Sequence, residues 1–454
     1  MPPPRDNQAI SFRTGLGYAT GDLGISLAYF SVGFFFLFYL TDIVGLSAGL
    51  AGTVVLIGKL WDGVNDPLVG ILSDRTRSRH GRKRVYLLYG AVPFALSFIL
   101  LWWIPIGASV TVTFIIATAL ALLFATTYSL VGVPYQALVP IMTTDYDDRT
   151  RLVAFKAIFS AIGTVVGGGI ALVITLEAGI EPTLRVMAVI FGIACAASLL
   201  VAARSVKDFE VGDTFGITPV PLRRYVALAT ESNVSILLGH KILGAIATGT
   251  LTAVLPFFAD HVIESGSAAS LSLAAYTIVA AALIPVWNRL THTIDKRRLI
   301  LLSNTAAAVI LLGVGLLAST SSLVIFLGGS ALLGAAMSAY LLIPSSLVPD
   351  LVDWYEYERG ERHESVFFGL WMTVHQLGLG IAAFLLGMFL SAFGYVSGAD
   401  VQDATATLGV RLAFAIIPGL FLVLAALLLQ RYRITRDRMD RAVAELDRRH
   451  AQQA

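Results

Sequence analysis

The stretch "KLWDGVNDPLVGILSDRTRSRHGRKR", residues 59–84, combines an apolar helix pattern with charges that a membrane helix normally avoids. Its first part carries Lys59, Asp62 and Asp66 among apolar residues, and its last ten positions hold six basic residues. An ionisable group inside a bilayer costs roughly 3 kcal/mol even on permissive scales, so it normally faces a cavity or a partner. Clustered Lys and Arg mark the cytoplasmic end of a span. The stretch therefore predicts a membrane helix that carries a polar site and ends in the cytoplasm.

The composition of the whole chain agrees with a membrane protein. Of the 454 residues, 56% are hydrophobic and only 14% are charged, and the mean hydropathy is +0.78. Because about a quarter of the residues in a soluble domain are charged, this composition excludes an ordinary soluble protein. The chain has one cysteine, Cys195, which excludes an internal disulfide framework.

Twelve apolar windows are long enough to cross a bilayer core about 30 Å thick, which needs about 20 helical residues. They lie near 15–41, 48–73, 85–105, 110–142, 152–176, 184–204, 233–259, 267–290, 299–318, 323–347, 366–392 and 408–430.

Basic residues concentrate in the loops that follow even-numbered windows and in the C-terminal tail. The loops after odd-numbered windows carry almost none beyond Arg185. Because Lys and Arg are retained on the cytoplasmic side, we predict that both termini are cytoplasmic in a multi-pass protein of the plasma (inner) membrane.

The two halves of the chain resemble each other. "VPYQALVP" at 133–140 recurs as "IPSSLVP" at 343–349, and an arginine follows fifteen residues after the first proline in both places, at Arg149 and Arg359. We expect an all-α membrane protein of twelve transmembrane helices in two pseudo-symmetric six-helix bundles, the major facilitator fold. The predicted parts are an N-terminal bundle at 1–204, a central cytoplasmic loop at 205–232, a C-terminal bundle at 233–430 and a cytoplasmic tail at 431–454.

The second window is predicted to hold a cation. Asp62 and Asp66 are four residues apart and share a helix face with Lys59, and Asn65 lies between the two aspartates. Such a hard-oxygen cluster suits Na⁺, Li⁺ or a proton. The alternative is that Lys59 neutralises one aspartate and the cluster only holds helices together.

Two further charges lie within apolar windows. Asp22 is in the first window and Lys241 is in the seventh. Asp22 is expected to face a cavity or a partner, or alternatively to form a structural hydrogen bond to the seventh or fifth helix. Lys241 is a candidate for charge pairing, or alternatively for packing or for reaching the membrane surface.

Several motifs together resemble the glycoside–pentoside–hexuronide:cation symporters of the major facilitator superfamily. They are "GYATGDLG", "YLTDIVGLSAGLAGTV", "WDGVNDPLVGILSDRTRSRHGRKR", "VPYQALVP", "TTDYDDRTRLVAFKAIFSAIG" and "GERHESVFFGLW". They extend from residue 17 to residue 371, over most of the chain.

The resemblance implies specific ligands. The cation would be held by Asp62, Asn65 and Asp66, with a hydroxyl from Ser129 on the fourth helix. The sugar-binding aspartate of the first helix corresponds to Asp22, and a nearby aromatic residue corresponds to Tyr29.

Three positions depart from the family pattern. The second sugar-binding aspartate is replaced by Gly132, a tryptophan by Gln136 and the lysine of the eleventh helix by Gln376. We expect Lys241 or His375 to assume part of that lysine's role. The positions expected to bind substrate are Asp22, Tyr29, Tyr128, Gln136, Trp371 and Gln376, of which Tyr128 and Trp371 would stack on a sugar ring.

Charged residues of the cytoplasmic loops are expected to form a gate of ion pairs that breaks when the protein opens inward. Alternatively, the arginines only fix topology and bind anionic headgroups. The expected gate residues are Arg75, Arg77, Arg82, Asp147, Asp148, Arg149, Glu358 and Glu361.

We therefore predict a secondary active transporter that couples Na⁺ or H⁺ to the symport of a sugar, glycoside or sugar acid by alternating access. The alternatives are a transporter of a lysolipid or other amphiphile, and a non-transporting sensor on the same fold. The sequence has no metal-ligand His/Cys spacing and no nucleophile–base pair, so we expect no enzyme and no cofactor beyond the coupling ion. The expected partners are a small-molecule substrate and the lipid bilayer, with no nucleic acid, for a monomeric protein.

Overall fold

The computed structural model describes residues 10–143, 146–173, 180–207, 227–265, 267–291, 293–318, 323–360, 364–399, 401–434 and parts of 438–448. The regular structure in these ranges is helical. The helices of the first half are α1 (Phe12–Phe38, continued by a π-helical turn at Tyr39–Ile43), α2 (Ala48–Arg75), α3 (Arg84–Leu101), α4 (Val110–Gln136), the short α5 (Val139–Met142), α6 (Tyr146–Val173) and α7 (Ile180–Ser205). Those of the second half are α8 (Ser232–His261), α9 (Ala268–Thr291), α10 (Lys296–Leu317), α11 (Leu323–Arg359), α12 (Glu364–Ala392) and α13 (Ala404–Leu429).

Eleven helices in the described residues are long and apolar enough to cross a membrane. The helix that contains the opening stretch, α2, is 28 residues long but is not among the eleven. Its Lys59, Asp62 and Asp66 lower its hydropathy, so its place as a twelfth span stays a prediction.

The chain divides into two compact units. Unit 1 consists of Met1–Phe215 and Tyr395–Gln402, and unit 2 of Gly216–Gly394 and Asp403–Ala454. In unit 1, α1 packs against α6 and α7, α2 packs against α4, and α3 packs against α4 and α7. In unit 2, α8 packs against α12 and α13, α9 against α11, and α10 against α11 and α13. Helices at equivalent positions in the two halves thus pack against equivalent neighbours.

Glycines allow the closest of these helix contacts. A Cβ atom built on Gly163 of α6 would lie 2.6 Å from the backbone oxygen of Leu23 on α1. In unit 2, a Cβ atom on Gly378 of α12 would lie 2.6 Å from Ala245 Cβ on α8. The two helix pairs are equivalent in the two units, and both bring backbones together without intervening side chains, as small residues do in membrane helix packing.

Polar side chains secure several helix ends. Lys83, which is buried, donates to Asp74 at 2.6 Å and to Ser73 at 2.7 Å, and so ties the loop after α2 to that helix. Arg411 of α13 donates to the backbone oxygens of Gly315 and Ala318 at the C-terminus of α10. A cation at this end of a helix complements its unpaired carbonyl groups.

We expect Gly163→Ala to lower the free energy of unfolding by about 1–3 kcal/mol, because the added methyl group overpacks the contact with α1. Gly33→Ala is the matched control, since a Cβ on Gly33 of α1 meets nothing within 4 Å. The measurement is thermal unfolding of the purified variants in detergent. Equal melting temperatures for the two variants would contradict this account of the α1–α6 contact.

Candidate functional site

The acidic cluster of α2 lies inside unit 1. Asp62 and Asn65 are 3% and 6% exposed, and Asp66 is partly buried. The spacing of three and four residues places them on one helix face, as the sequence predicts. Pro67 follows Asp66 within the helix. The Lys59 Nζ atom lies 3.0 Å from Asp62 Oδ2, one turn before the aspartate.

Helix α4 adds a hydroxyl to this cluster. The Ser129 side chain, 1% exposed, donates a hydrogen bond to Asp66 Oδ1. Within the described residues, Asp62 Oδ1 and Asn65 Nδ2 are buried and have no hydrogen-bond partner. The oxygen and nitrogen of an asparagine amide have nearly the same shape, so the side chain of Asn65 can be turned over. Its oxygen then occupies the buried position assigned to Nδ2. The residues therefore fit a small hard cation that is carried as a substrate, because the oxygens of Asp62 and Asn65 are free to act as ligands.

Aromatic side chains close the cluster on the side of α1. The Lys59 Nζ atom lies 4.7 Å from the centre of the Tyr29 ring, and the Tyr29 and Tyr128 ring centres are 5.6 Å apart. These residues and Asp62 line a cavity of about 40 Å³. By this measure a water molecule needs roughly 10–15 Å³, so the cavity has room for a few waters beside the carboxylate.

The charges of this cluster do not balance. Asp62 and Asp66 supply two carboxyl groups, whereas Lys59 supplies one ammonium group. Burial of an unpaired carboxylate is costly, so the second carboxyl group must hold a proton or share a cation. The cluster is thus suited chemically to exchange a proton or a monovalent cation.

A second polar cluster surrounds Asp22 on α1. Its Oδ2 atom accepts a hydrogen bond from the Tyr135 hydroxyl at 3.1 Å and lies 3.7 Å from Lys156 Nζ on α6. The Tyr18 and Tyr135 rings stack at 4.7 Å, and the Tyr18 hydroxyl donates to the Tyr135 backbone oxygen. The single Tyr135 hydroxyl proton is shared between Asp22 Oδ2 and the Tyr18 backbone oxygen, which lies 3.0 Å from the Tyr135 hydroxyl oxygen. Lys156 Nζ also lies 4.8 Å from the centre of the Tyr135 ring. Asp22 therefore lies beside one ammonium group and the hydroxyl of one of two stacked tyrosines.

Sequence reasoning missed Lys156 and Tyr135. Lys156 could have been found from the sequence, because it lies within the fifth apolar window in "VAFKAIFSAIG". As for Asp22, a charge within an apolar window is expected to face a cavity or a partner. Tyr29, which the family pattern groups with Asp22, lies instead beside the acidic cluster of α2. Its position seven residues after Asp22 corresponds to about two helical turns, or roughly 10 Å.

The positions that depart from the family pattern differ in burial. Gly132 is buried, and a Cβ atom there would meet only Tyr128 Cε1, at 3.9 Å. The structure thus leaves room where the pattern has a carboxylate. Gln136, at the end of α4, is exposed.

The remaining predicted substrate and coupling residues belong to unit 2. Lys241 of α8 lies with its Nζ atom 4.6 Å from the centre of the Trp371 ring on α12. Trp371 is 4% exposed, which leaves little of its ring to stack on a sugar. His375 and Gln376 lie one turn further along α12 and are partly buried.

The predicted gate residues lie at helix ends and in loops. Asp148 pairs with Arg151 at 2.8 Å and accepts a hydrogen bond from the Ile10 backbone N–H, so its carboxylate is engaged within unit 1. Ion pairs are absent for Arg75, Arg77 and Arg82 among the residues that the structure describes, and Glu358 is exposed. The side chains of Asp147 and Arg149, and the whole of Glu361, lie outside the described residues. The gate stays a prediction.

Comparison with known proteins identifies a family. The family model described as MFS/sugar transport protein matches residues 17–436. An uncharacterized symporter of Synechocystis is 28% identical, with 94% of this chain and 95% of the relative covered. A putative glycoside/cation symporter of Escherichia coli is 25% identical, with 98% and 96% covered.

The fold has solved counterparts. A crystal structure of a peptide transporter, in complex with alafosfalin, matches with a TM-score of 0.68 over 97% of this chain and 99% of its own. The two sequences are 15% identical, so this likeness concerns the fold alone.

The Asp22–Lys156 pair predicts a non-additive result. Lys156→Gln and Asp22→Asn should each lower the free energy of unfolding, because each leaves a partly buried charge without its partner. The double variant should lose about 1–3 kcal/mol less than the sum of the single losses. Thermal unfolding of the four proteins measures this coupling, and Arg13→Gln, an exposed cation on α1, is the control. Strictly additive losses would show that the pair is not coupled.

Proposed function

The chain belongs to the MFS/sugar transport protein family of membrane transporters, and we propose that it carries a sugar-like solute together with a monovalent cation, Na⁺ or H⁺. The eleven apolar helices and the family place it as a multi-pass protein of the plasma membrane. The proposed mechanism is symport by alternating access, in which the substrate sites open in turn to each side.

One observation carries the cation part of the proposal. The α2–α4 cluster contains one carboxyl group more than ammonium groups, and its Asp62 Oδ1 is a buried oxygen without a hydrogen-bond partner in the described residues. A monovalent cation that binds Asp62, Asn65, Asp66 and Ser129 would cancel the surplus charge and use that oxygen. A proton on one aspartate would do the same, which is why both ions stay in the proposal.

The Asp22 cluster supplies the proposed sugar contacts in unit 1. Sugar hydroxyls are donors and acceptors at once, so they suit a carboxylate beside an ammonium group. Asp22 accepts hydrogen bonds and Lys156 donates them, and the two lie 3.7 Å apart. A sugar with vicinal hydroxyls can bind both when it displaces the direct contact. The Tyr18–Tyr135 stack holds Asp22 in place through the Tyr135 hydroxyl.

Coupling follows from the position of both clusters on the same helices. Asp22 and Tyr29 share α1, and Tyr135 and Ser129 share α4. Cation binding that fixes α2 against α4 would therefore favour the arrangement of α1 and α4 that binds sugar. By reciprocity, sugar would raise the affinity for the cation by the same factor.

An amphiphile is the alternative substrate. The room beside Gly132 and the apolar part of the cavity wall, which includes Val32, Phe36 and Phe124, favour it. A thermal-shift screen of sugars, uronates and lysolipids, with and without Na⁺, separates the candidates, because a ligand raises the melting temperature of the state it binds. Substrate binding without flux would identify a sensor. We propose a monomer with no cofactor beyond the coupling ion and no enzymatic activity.

We predict that Asp66→Asn abolishes cation-driven accumulation in proteoliposomes, because it removes the surplus charge that the cation neutralises. Ser129→Ala should raise the cation concentration needed for half-maximal uptake by about tenfold, whereas Ser129→Thr, which keeps the hydroxyl, should resemble the unchanged protein. Uptake is measured under an imposed Na⁺ gradient and, separately, under an imposed pH gradient.

The control removes a carboxylate elsewhere. Asp260→Asn, near the end of α8 in unit 2, should leave accumulation unchanged. If Asp66→Asn still accumulates solute in response to either gradient as strongly as the unchanged protein, the assignment of the cation site is wrong.

A further inference from the structure

Lys59 belongs to the same helix as the two carboxyl groups of the acidic cluster. Its Nζ atom lies 3.0 Å from Asp62 Oδ2, whereas Asp62 Oδ1 is buried and has no hydrogen-bond partner in the described residues. The ammonium group therefore uses one oxygen of this carboxylate and leaves the other one open. Asp66, one turn later, is bonded to the Ser129 hydroxyl, which carries no charge. A single positive charge thus serves two carboxyl groups.

The neighbouring helices do not change this balance. Helix α4, which packs along α2, contains no charged residue. Helix α1 contributes Arg13, which is exposed, and Asp22, which is already matched by an ammonium group of α6. The acidic residues at the two ends of α2 have partners as well, since Asp42 accepts from a tyrosine hydroxyl and Asp74 pairs with Lys83. The charge of the cluster is therefore set within α2, by its own lysine and two aspartates.

The Lys59 ammonium group is held from two sides. Besides the contact with Asp62, its Nζ atom lies 4.7 Å from the centre of the Tyr29 ring, within the range of a cation–π contact. The Tyr29 ring packs in turn against Tyr128, at 5.6 Å between ring centres. All four residues line the same cavity in unit 1. The ammonium group is thus a fixed positive charge in the wall of the cavity where the coupling ion would bind.

We propose that Lys59 restricts this site to one monovalent cation, because its ammonium group takes the place of the second positive charge that two carboxylates require. The proposal rests on the proposed cation site and adds the residue that selects its ion. With Lys59 present, one Na⁺ or one proton makes the cluster neutral. A divalent cation would instead leave a surplus positive charge among apolar helices, and burial of an unpaired charge is unfavourable for either sign.

Without the ammonium group, the same ligands suit Ca²⁺. The two carboxylates are four residues apart on one helix face, a spacing at which two side chains can hold one metal ion. Asn65 and Ser129 add uncharged oxygens, and Ca²⁺ completes a shell of about six to eight oxygens with water. The cavity of about 40 Å³ beside Asp62 has room for such waters. The choice between a monovalent and a divalent ion therefore depends on Lys59 and not on the oxygen ligands.

The test replaces Lys59 and follows ion binding by thermal unfolding of the purified protein in detergent, because an ion that binds the folded state raises its melting temperature. NaCl and CaCl₂ are compared at equal ionic strength, adjusted with choline chloride. Lys59→Gln should gain a Ca²⁺-dependent rise that EGTA reverses and that is half-maximal at about 0.1–1 mM, the range of extracellular calcium modules. The unchanged protein and Lys59→Arg should show no such rise.

A second substitution tests whether the charge count decides. Lys59→Gln combined with Asp66→Asn again leaves one carboxylate in surplus, so the double variant should lose the Ca²⁺ response that Lys59→Gln gains. A Ca²⁺ response that survives Asp66→Asn would place calcium elsewhere and overturn the proposal. Arg13→Gln, which removes an exposed cation from α1, is the matched control and should behave like the unchanged protein.

A folded Lys59→Gln variant without a Ca²⁺ response also overturns the proposal. If this variant cannot be purified in Na⁺, it is prepared in Ca²⁺, and recovery only with Ca²⁺ is the expected result. If neither ion yields folded protein, the unchanged protein decides. Stabilisation of the unchanged protein by Ca²⁺ that Asp66→Asn removes would show that the ammonium group does not exclude a divalent ion, whereas absence of that stabilisation supports the exclusion.

These outcomes differ from those that test the transport function. Uptake by the unchanged protein that follows neither a Na⁺ gradient nor a pH gradient refutes the proposed function itself. Uptake that follows either gradient, together with a folded Lys59→Gln variant that does not respond to Ca²⁺, refutes only the role of Lys59 and leaves the transport function standing.

Discussion

A carboxylate placed among apolar helices has to be paired, protonated or bound to a cation, and this constraint organises unit 1. Asp22 is paired with Lys156 and held by Tyr135. Asp62 is paired with Lys59, and Asp66 has a hydroxyl from Ser129 but no ammonium group of its own. The incomplete pairing lies in α2, which for the same reason is the least membrane-like of the long helices. In the proposed symport, stability and transport would compete within one helix, because a perfectly neutral cluster would have no need of a coupling ion.

The two units use one packing scheme for different chemistry. Glycines bring α1 against α6 in unit 1, at Gly163, and α8 against α12 in unit 2, at Gly378. Such contacts are set by backbone shape, so the side chains on the other faces of these helices are free to differ. Unit 1 uses that freedom for carboxylates and unit 2 for a lysine on a tryptophan. An internal repeat can therefore preserve the fold while its two copies acquire opposite charge.

Local patterns were readable from the sequence, whereas contacts between distant residues were readable only where the family resemblance supplied them, as it did for Ser129 beside Asp66. Asp62 and Asp66 stand four positions apart, so helix periodicity alone places them on one face. Lys156 is 134 residues from Asp22, and no periodic pattern connects the two. A lone lysine within an apolar window does indicate that an unidentified partner lies nearby. The sequence also does not predict the environment of Trp371, because a tryptophan in an apolar window fits a buried position as well as a sugar-stacking one. Within the basic loop after α2, Lys83 pairs with Asp74 of the adjoining helix, and the gate predicted for the neighbouring arginines stays a prediction.

Pro67 removes a hydrogen bond from α2 directly beside the acidic cluster. Proline has no backbone N–H, so the carbonyl oxygen of Gly63, four residues earlier, loses the donor that any other residue would provide. Backbone carbonyls released from helical bonding are established ligands for ions in membrane transporters. Gly63 directly follows Asp62 in the chain, so a carbonyl oxygen without its helical donor lies one residue from the acidic cluster. Substitutions of side chains cannot delete that oxygen; only replacement of Pro67 would restore its donor and so withdraw it from an ion.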